Sequence, residues 1–175
     1  SLELMFAHAV SFNQAVQFDP RSAMVMSGMF LGATSFNQVV NWNTARGPVM
    51  DSMFRGATSL NQPVTLTTNV VTRMDSMFQG ATSFNQPLSF STYSVVQMDS
   101  MFEGATAFNQ AINFEAGELL SADNMFRGAR SFNMPVIFSN TTRLTSVSGM
   151  FADVSHCFNQ TVNLSSTASV QDMTE

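Results

Sequence analysis

Apolar residues recur along this chain at a fixed interval. A Met-Phe pair begins at Met5, Met29, Met53, Met77, Met101, Met125 and Met150, which gives five consecutive steps of 24 residues and a last step of 25. An Asn keeps the same interval at Asn13, Asn37, Asn61, Asn85, Asn109 and Asn133, and then shifts to Asn159. Self-similarity at such a period is typical of proteins built from stacked structural repeats. The sequence therefore predicts one repeat domain over residues 1–175, a β-solenoid of about seven coils.

Each coil also contains two apolar residues separated by one other residue. These pairs are Val16/Phe18, Val40/Trp42, Val64/Leu66, Leu88/Phe90, Ile112/Phe114, Val136/Phe138 and Val162/Leu164. A spacing of two is the periodicity of a β-strand with one buried face. Pro63, Pro87 and Pro135 precede such pairs, where a strand tolerates a residue without an N–H donor. We therefore expect one short parallel strand per coil.

The segment from Asp75 to Gly80 has the start and stop signals of a short helix. Asp is a preferred N-cap, and Gly suits the left-handed residue that closes a helix. We expect one short helical turn per coil here, with Met77 and Phe78 facing the core. The residues between the strand and this segment do not repeat, and they are expected to form surface turns.

The coils repeat the pattern Met-Phe-x-Gly-Ala-Thr-Ser-Phe-Asn-Gln, followed by an apolar-x-apolar step and by Val-x-x-Met-Asp-Ser-Met-Phe. This pattern resembles the BspA-like surface-protein repeat, a divergent leucine-rich repeat. The resemblance covers essentially the whole chain. It implies a right-handed solenoid of the leucine-rich-repeat type in a surface or secreted protein that serves adhesion or recognition. Many members carry Trp where this chain mostly has Phe or Leu and retains only Trp42, and the last coil is irregular at 153–157.

Charge is scarce. Charged residues make up 11% of the chain, lysine is absent, and the net charge is −5. Without clustered basic residues a nucleic-acid partner is not expected. No stretch approaches the roughly 20 apolar residues of a membrane-spanning helix. The repeat pattern runs to both ends, so we expect a segment of a longer array. The resemblance implies an extracellular or cell-surface location, and the alternative is a peripheral subunit of an organellar or membrane complex.

Two polar columns have two interpretations each, and a third is a candidate ligand surface. Asp51, Asp75, Asp99 and Asp123 could bind calcium through their oxygens or cap their own helical turns. The repeating Asn residues could form a recognition stripe or an inward amide ladder that satisfies turn backbone groups. Hydroxyls at Thr34, Thr58, Thr82 and Thr106 could face ice or sugar, although Arg130 interrupts them.

Nothing in the sequence indicates catalysis or a cofactor. Cys157 is the only cysteine, which excludes an internal disulfide, and no recognisable motif pairs it with an acid or base. His8 and His156 lie far apart in the array. The fourteen methionines are expected to pack rather than to bind a soft metal. Asn140 and Asn163 begin glycosylation sequons and are candidate modification sites.

The outward strand positions form the candidate recognition surface. They are Gln17, Asn41, Thr65, Ser89, Asn113, Ile137 and Asn163, with Trp42, Arg46, Tyr93, Glu115 and Arg143 in or near the adjoining turns. A regular lattice ligand would require one residue type along this column, whereas the column is mixed. We therefore predict protein–protein recognition, with Asn41, Trp42, Arg46, Thr65, Ser89, Tyr93, Asn113 and Glu115 as contact residues. A structural subunit of a larger complex and a carbohydrate- or ice-binding surface are the alternatives.

Overall fold

Short parallel strands joined by long runs of turns make up this protein. The computed structural model describes residues 1–17, 19–44, 46, 49–154 and 158–165. Its strands are β1 (Val40–Trp42), β2 (Val64–Leu66), β3 (Ile112–Glu115), β4 (Val136–Ser139) and β5 (Val162–Leu164). The only helix in these residues is a 3₁₀ turn, Pro20–Ser22, which the Asp19 carboxylate caps through the N–H of Arg21. The chain is therefore a repeat β fold with almost no helix.

Equivalent residues of successive repeats lie side by side. In the first sheet Val40 pairs with Val64 and Trp42 with Leu66, and in the second Ile112 pairs with Val136, which pairs with Val162. The first and third residues of β1 to β4 are buried and the second is exposed. This pattern confirms the inward and outward positions predicted for these four strands.

The prediction of a strand in every coil is wrong at Leu88–Phe90. This segment carries no strand, so the sheet divides into a pair, β1 and β2, and a triplet, β3, β4 and β5. Every strand begins with a β-branched Val or Ile. The interrupted segment begins with Leu88 instead, and a γ-branched residue favours the pleated backbone less strongly. The corresponding prediction in the first coil rests on Phe18, which lies outside the described residues.

The predicted helical turn is also wrong, because it is a series of β-turns. The N–H groups of Met53, Arg55 and Ala57 donate to the carbonyl three residues earlier at 3.0–3.3 Å. The N–H groups of the intervening residues donate to the next repeat, for example from Phe54 to the carbonyl of Met77 at 2.9 Å. An α-helix would need these donors for its own i−4 carbonyls. The neighbouring repeat takes them instead, which stacks the repeats and prevents a helix.

Two positions per turn segment adopt the left-handed backbone conformation. Gly80 has φ +67°, and Ser76 has φ +55°. A positive φ at the third residue of a four-residue turn is what a type II turn requires. Gly80 and its equivalents meet this requirement without strain. Ser52, Ser76 and Ser100 adopt the same conformation, which is strained for a residue with a side chain. Gly28 and Gly149 occupy this position in other repeats.

Two columns of stacked phenylalanine rings fill the core. The first contains Phe6, Phe30, Phe54, Phe78, Phe102, Phe126 and Phe151, with ring centroids 5.4–5.7 Å apart. The second contains Phe12, Phe36, Phe84, Phe108, Phe132 and Phe158, and Leu60 interrupts it. Within one repeat the two rings also stack, as Phe78 and Phe84 do at 4.3 Å. Buried methionines such as Met74 and Met77 pack beside them, as predicted.

The 25-residue step is absorbed by one inserted residue, Asn140. Ser139 still pairs with Glu115. Thr141 then takes the position of Ala116, since each is buried and each accepts the N–H of the residue three positions later. Asn140 itself is exposed and left-handed, with φ +59°. The insertion therefore bulges at the surface and leaves the core register intact.

Candidate recognition surface

The outward strand positions form an exposed, uncharged face. Asn41 lies beside Thr65 in the first sheet, and Asn113 lies beside Ile137 and Asn163 in the second. All five are exposed, and Ser89 is exposed in the interrupted repeat between the sheets. No charged side chain occurs among these positions. The face therefore offers amide, hydroxyl and small apolar contacts.

A second outward column was missed in the sequence. It lies two residues before the first one and contains Ala15, Val39, Pro63, Pro87, Ala111, Pro135 and Thr161. Residues two apart along a strand share a face, and all members are exposed except Pro135, which is half-buried. The alternation of the sequence contained this signal, but the prolines were interpreted only as strand starts. The face is thus more apolar than expected.

Trp42 does not belong to this surface. Its side chain is 7% exposed, and its ring lies 6.1 Å from that of Phe30. It is the last residue of β1 and points into the core, as its strand position requires. Arg46, Tyr93 and Glu115 are exposed, as predicted, in or beside the turns that follow the strands.

The aspartate column, Asp51, Asp75, Asp99 and Asp123, does not cap its own turns. Each carboxylate accepts the backbone N–H of the equivalent residue in the next repeat. The distances are 3.1 Å to Asp51, 2.9 Å to Asp75, 2.8 Å to Asp99 and 2.7 Å from Ser148 to Asp123. The column therefore links repeats.

Partial burial leaves the charge of this column incompletely solvated. It raises the pKa of Asp51, which the neighbouring Asp75 carboxylate raises further and Arg73 lowers. Burial likewise raises the pKa of Asp99, against the hydrogen bonds from the Ser121 hydroxyl and the Asp123 N–H. Arg73 contacts Asp51 at 3.2 Å and Asp75 at 2.9 Å. In the described part of the chain no group of three or more His, Cys, Asp or Glu residues could hold a metal ion.

The asparagine column, Asn13, Asn37, Asn61, Asn85, Asn109, Asn133 and Asn159, makes the same bond. The amide oxygen of Asn85, for example, accepts the N–H of Asn109 at 2.9 Å and the Nε2 of Gln110 at 3.0 Å. The column satisfies backbone donors, as predicted, but it is not inward. Asn61 is exposed and Asn85 half-buried.

Hydroxyl groups also bind backbone carbonyls between repeats. Thr58 and Thr82 donate to the carbonyls of Thr34 and Thr58 at 3.4 and 3.5 Å, so the predicted hydroxyl array is already engaged as donors. A second column was missed because it lies within the variable turns. Its members, Thr44, Thr68, Thr92 and Thr141, are buried. Thr68 and Thr92 donate to carbonyls of the next repeat at 2.7 and 2.8 Å, and their 24-residue spacing was the available signal.

Comparison with known proteins identifies the family. A family model described as "Mycoplasma protein of unknown function, DUF285" matches residues 1–113 and 88–175, which together cover the chain. The chain belongs to the DUF285 family. No curated protein and no solved structure matches it.

The remaining features of this DUF285 chain concern modification and the membrane. Asn140 and Asn163 are both exposed. The Ser165 hydroxyl that completes the second sequon accepts the N–H of Asn140 at 2.8 Å. His156 and Cys157 lie outside the described residues. Among the residues that are described, no helix is long and apolar enough to cross a membrane.

Proposed function

We propose that this chain is a non-enzymatic repeat scaffold that recognises a protein partner. One observation supports it above the others. Inward positions such as Phe78 and Met77 hold the same residue in each repeat and are fully buried from Met29 to Phe126, whereas the outward positions differ from repeat to repeat and are exposed. A uniform core supports a fold, and a varied surface suits a partner that is itself irregular.

The proposal includes the finer architecture. Hydrogen bonds join residues 23 to 25 positions apart along the described chain, as from Phe54 to Met77 and from Phe126 to Met150. Such in-register stacking supports a right-handed solenoid of the leucine-rich-repeat type with about seven coils. The resemblance to BspA-like repeats supports a role in adhesion or recognition at a cell surface.

The partner site that we propose spans the outward strand face and the turns next to it. The two outward columns combine exposed Val39 and Pro63 with neutral polar Asn41 and Thr65. Arg46 and Glu115 add one charge of each sign in separate repeats. Interfaces are specified by complementary charges around a less charged centre, so these residues would set the orientation of the partner.

A triple variant tests the site. Arg46→Glu, Glu115→Arg and Thr65→Tyr alter exposed side chains and should leave thermal unfolding unchanged. A protein captured from the natural surroundings by the unaltered chain would be purified, and its affinity for both chains measured by calorimetry. We expect the variant to bind at least about 100-fold more weakly, a loss of about 2.7 kcal/mol.

The matched control is Arg130→Glu with Arg55→Glu, which changes exposed arginines outside the strand face. This control should retain the affinity of the unaltered chain. Equal affinity of the correctly folded triple variant would show that the partner binds another face.

A further inference from the structure

Three residues that differ from the repeat pattern lie close together among the surface turns. Tyr93 is the only tyrosine of the chain. Gly117 is the one glycine among the described residues whose φ is not positive, so backbone conformation does not demand a glycine there. Asn140 is the inserted residue of the 25-residue step. The lattice requires none of them, and each comes from a different repeat.

Gly117 brings the other two together. A Cβ built at Gly117 would lie 2.9 Å from Nδ2 of Asn140 and 4.0 Å from Cε2 of Tyr93. The first distance is too short for a real side chain, so the bare backbone of Gly117 is what admits the Asn140 amide. The second is an ordinary contact. The exposed Tyr93 and Asn140 therefore flank the buried main chain of Gly117.

Charged groups surround this cluster. Glu118 follows Gly117 and forms an ion pair with Arg143 of the next repeat, with both side chains about half exposed. Glu115 is also exposed nearby. Glu118 and Arg143 offset each other's charge. Glu115, two residues before Gly117 in the chain, leaves these three groups net negative. An anionic ligand would meet net negative charge at this place.

We propose that Tyr93, Gly117 and Asn140 form a binding site for a neutral saccharide. The Tyr93 ring is 57% exposed and offers an apolar surface to the C–H face of a sugar ring. The Asn140 amide supplies a donor and an acceptor for hydroxyl groups, and the Glu118 carboxylate supplies further acceptors. Gly117 itself is buried, and its missing side chain leaves the room in which the Asn140 amide lies.

The composition favours a sugar over a protein here. The centre of a protein interface is a group of contiguous apolar side chains. Tyr93 has Asn69 and Gly117 as its equivalents in the adjoining repeats and Ser94 as its chain neighbour, so its own column adds no second apolar side chain. The site lies in the turns beside the outward strand face, where Tyr93 is also a predicted protein contact, and it differs from the protein site in ligand class. It is argued from the contacts around Gly117, which the protein-binding proposal does not use.

The test titrates the folded chain with lactose, maltose, cellobiose and chitobiose, and with sialyllactose as the anionic comparator. Binding is followed by saturation-transfer NMR and by amide shifts near Tyr93. We expect a neutral sugar to bind with a Kd on the order of 1 mM, as a shallow single site would. Tyr93→Ala should weaken it at least about tenfold, whereas Tyr93→Phe should keep it within about threefold because the ring remains.

Gly117→Ala is the sharper variant, because the new Cβ displaces the Asn140 amide but leaves Tyr93 in place. It should weaken sugar binding several-fold and leave thermal unfolding nearly unchanged. Thr65→Ala, on the strand face, is the matched control and should bind sugar normally. Because Thr65 is a proposed protein contact, this control also shows whether the sugar and the protein bind at different residues.

Three results would overturn the proposal. One is that no neutral sugar binds up to about 50 mM, well above the expected Kd. Another is that Tyr93→Ala binds as the unaltered chain does. The third is that sialyllactose binds more tightly than lactose.

Discussion

The aspartate column and the asparagine column accept the same hydrogen bond, but the first carries charge and the second is neutral. In both, a side-chain oxygen accepts the backbone N–H of the equivalent residue in the next repeat, at 2.8 Å for Asp99 and 2.9 Å for Asn85. The asparagine column is neutral and lies partly in solvent. The aspartate column is charged and half-buried throughout its length.

The difference shows that negative charge is not needed to link the repeats. The four aspartates are close enough that Asp75 raises the pKa of Asp51. They are placed where Arg73 and the hydroxyls of Ser121 and Ser146 can bind them. The side-chain partners of the asparagines are neutral, as Gln110 is for Asn85. Charge in the first column therefore adds a sensitivity to pH and salt that the second column lacks.

The largest effect should come from removing the packing behind the asparagine column. Phe84 immediately precedes Asn85, is fully buried and stacks on Phe78 and Phe108. Phe84→Ala should lower the free energy of unfolding by about 3–5 kcal/mol through lost contacts and a cavity. Chemical denaturation would measure this loss. Val39→Ala, an exposed control, should change it by less than about 0.5 kcal/mol, and equal losses would contradict the assignment of stability to the core.

Removing one acceptor from each column should lower the free energy of unfolding by unequal amounts. Asp99→Ala leaves the Asp123 N–H and the Ser121 hydroxyl without their half-buried acceptor, and should cost about 1–3 kcal/mol. Asn85→Ala removes the acceptor of the Asn109 N–H and of Gln110 Nε2, which water can reach more easily. The free energy of unfolding should therefore fall by only about 0.5–1.5 kcal/mol. Both values come from urea denaturation at pH 7. A larger loss for Asn85→Ala would reverse the comparison.

Exchanging the two residue types should separate charge from hydrogen bonding. Asp99→Asn keeps an acceptor and removes the poorly solvated charge, so we expect unchanged or slightly higher stability at pH 7. Asn85→Asp keeps the acceptor and places a charge in the neutral column, and should cost less than about 1 kcal/mol because solvent screens it. A marked loss in Asp99→Asn would show that the Ser121 hydroxyl and the Asp123 N–H require the carboxylate.

The smallest effect should appear as a pH dependence. Asp51 and Asp99 have folded pKa values above their unfolded values, so their ionisation disfavours folding. Stability from these groups should rise as pH falls from 7 through the folded pKa values toward about 4, the unfolded value. The pKa of Asp19 is lowered, chiefly by the backbone hydrogen bond from Arg21, so its opposite contribution is lost only below that range.

Denaturation midpoints at pH 7 and pH 4.5 would measure this effect. We expect the gain on acidification to shrink in Asp99→Asn and to persist in Asn85→Gln. A chain that loses stability over the whole interval would contradict the raised pKa values.

Much of the local arrangement could be predicted because the repeat imposes the same environment on equivalent residues. The 24-residue interval identified the inward columns, and the two-residue spacing identified the outward positions of β1 to β4. It also gave the exposed candidates Asn41, Thr65 and Asn113. These conclusions depend only on burial and periodicity, which the order of residues determines.

The tertiary structure decided which partner each polar group would take. Asp75 followed by Gly80 has the residues of a capped helix, but alternate N–H groups of that segment donate to carbonyls 23 residues away, which local propensity does not reveal. The same contacts hold Ser76 at positive φ and turn the aspartate column from caps into links between repeats. The cluster of Tyr93, Gly117 and Asn140 was decided in the same way. These residues are separated by 24 and 23 positions in sequence, and only the stacking of repeats brings them together.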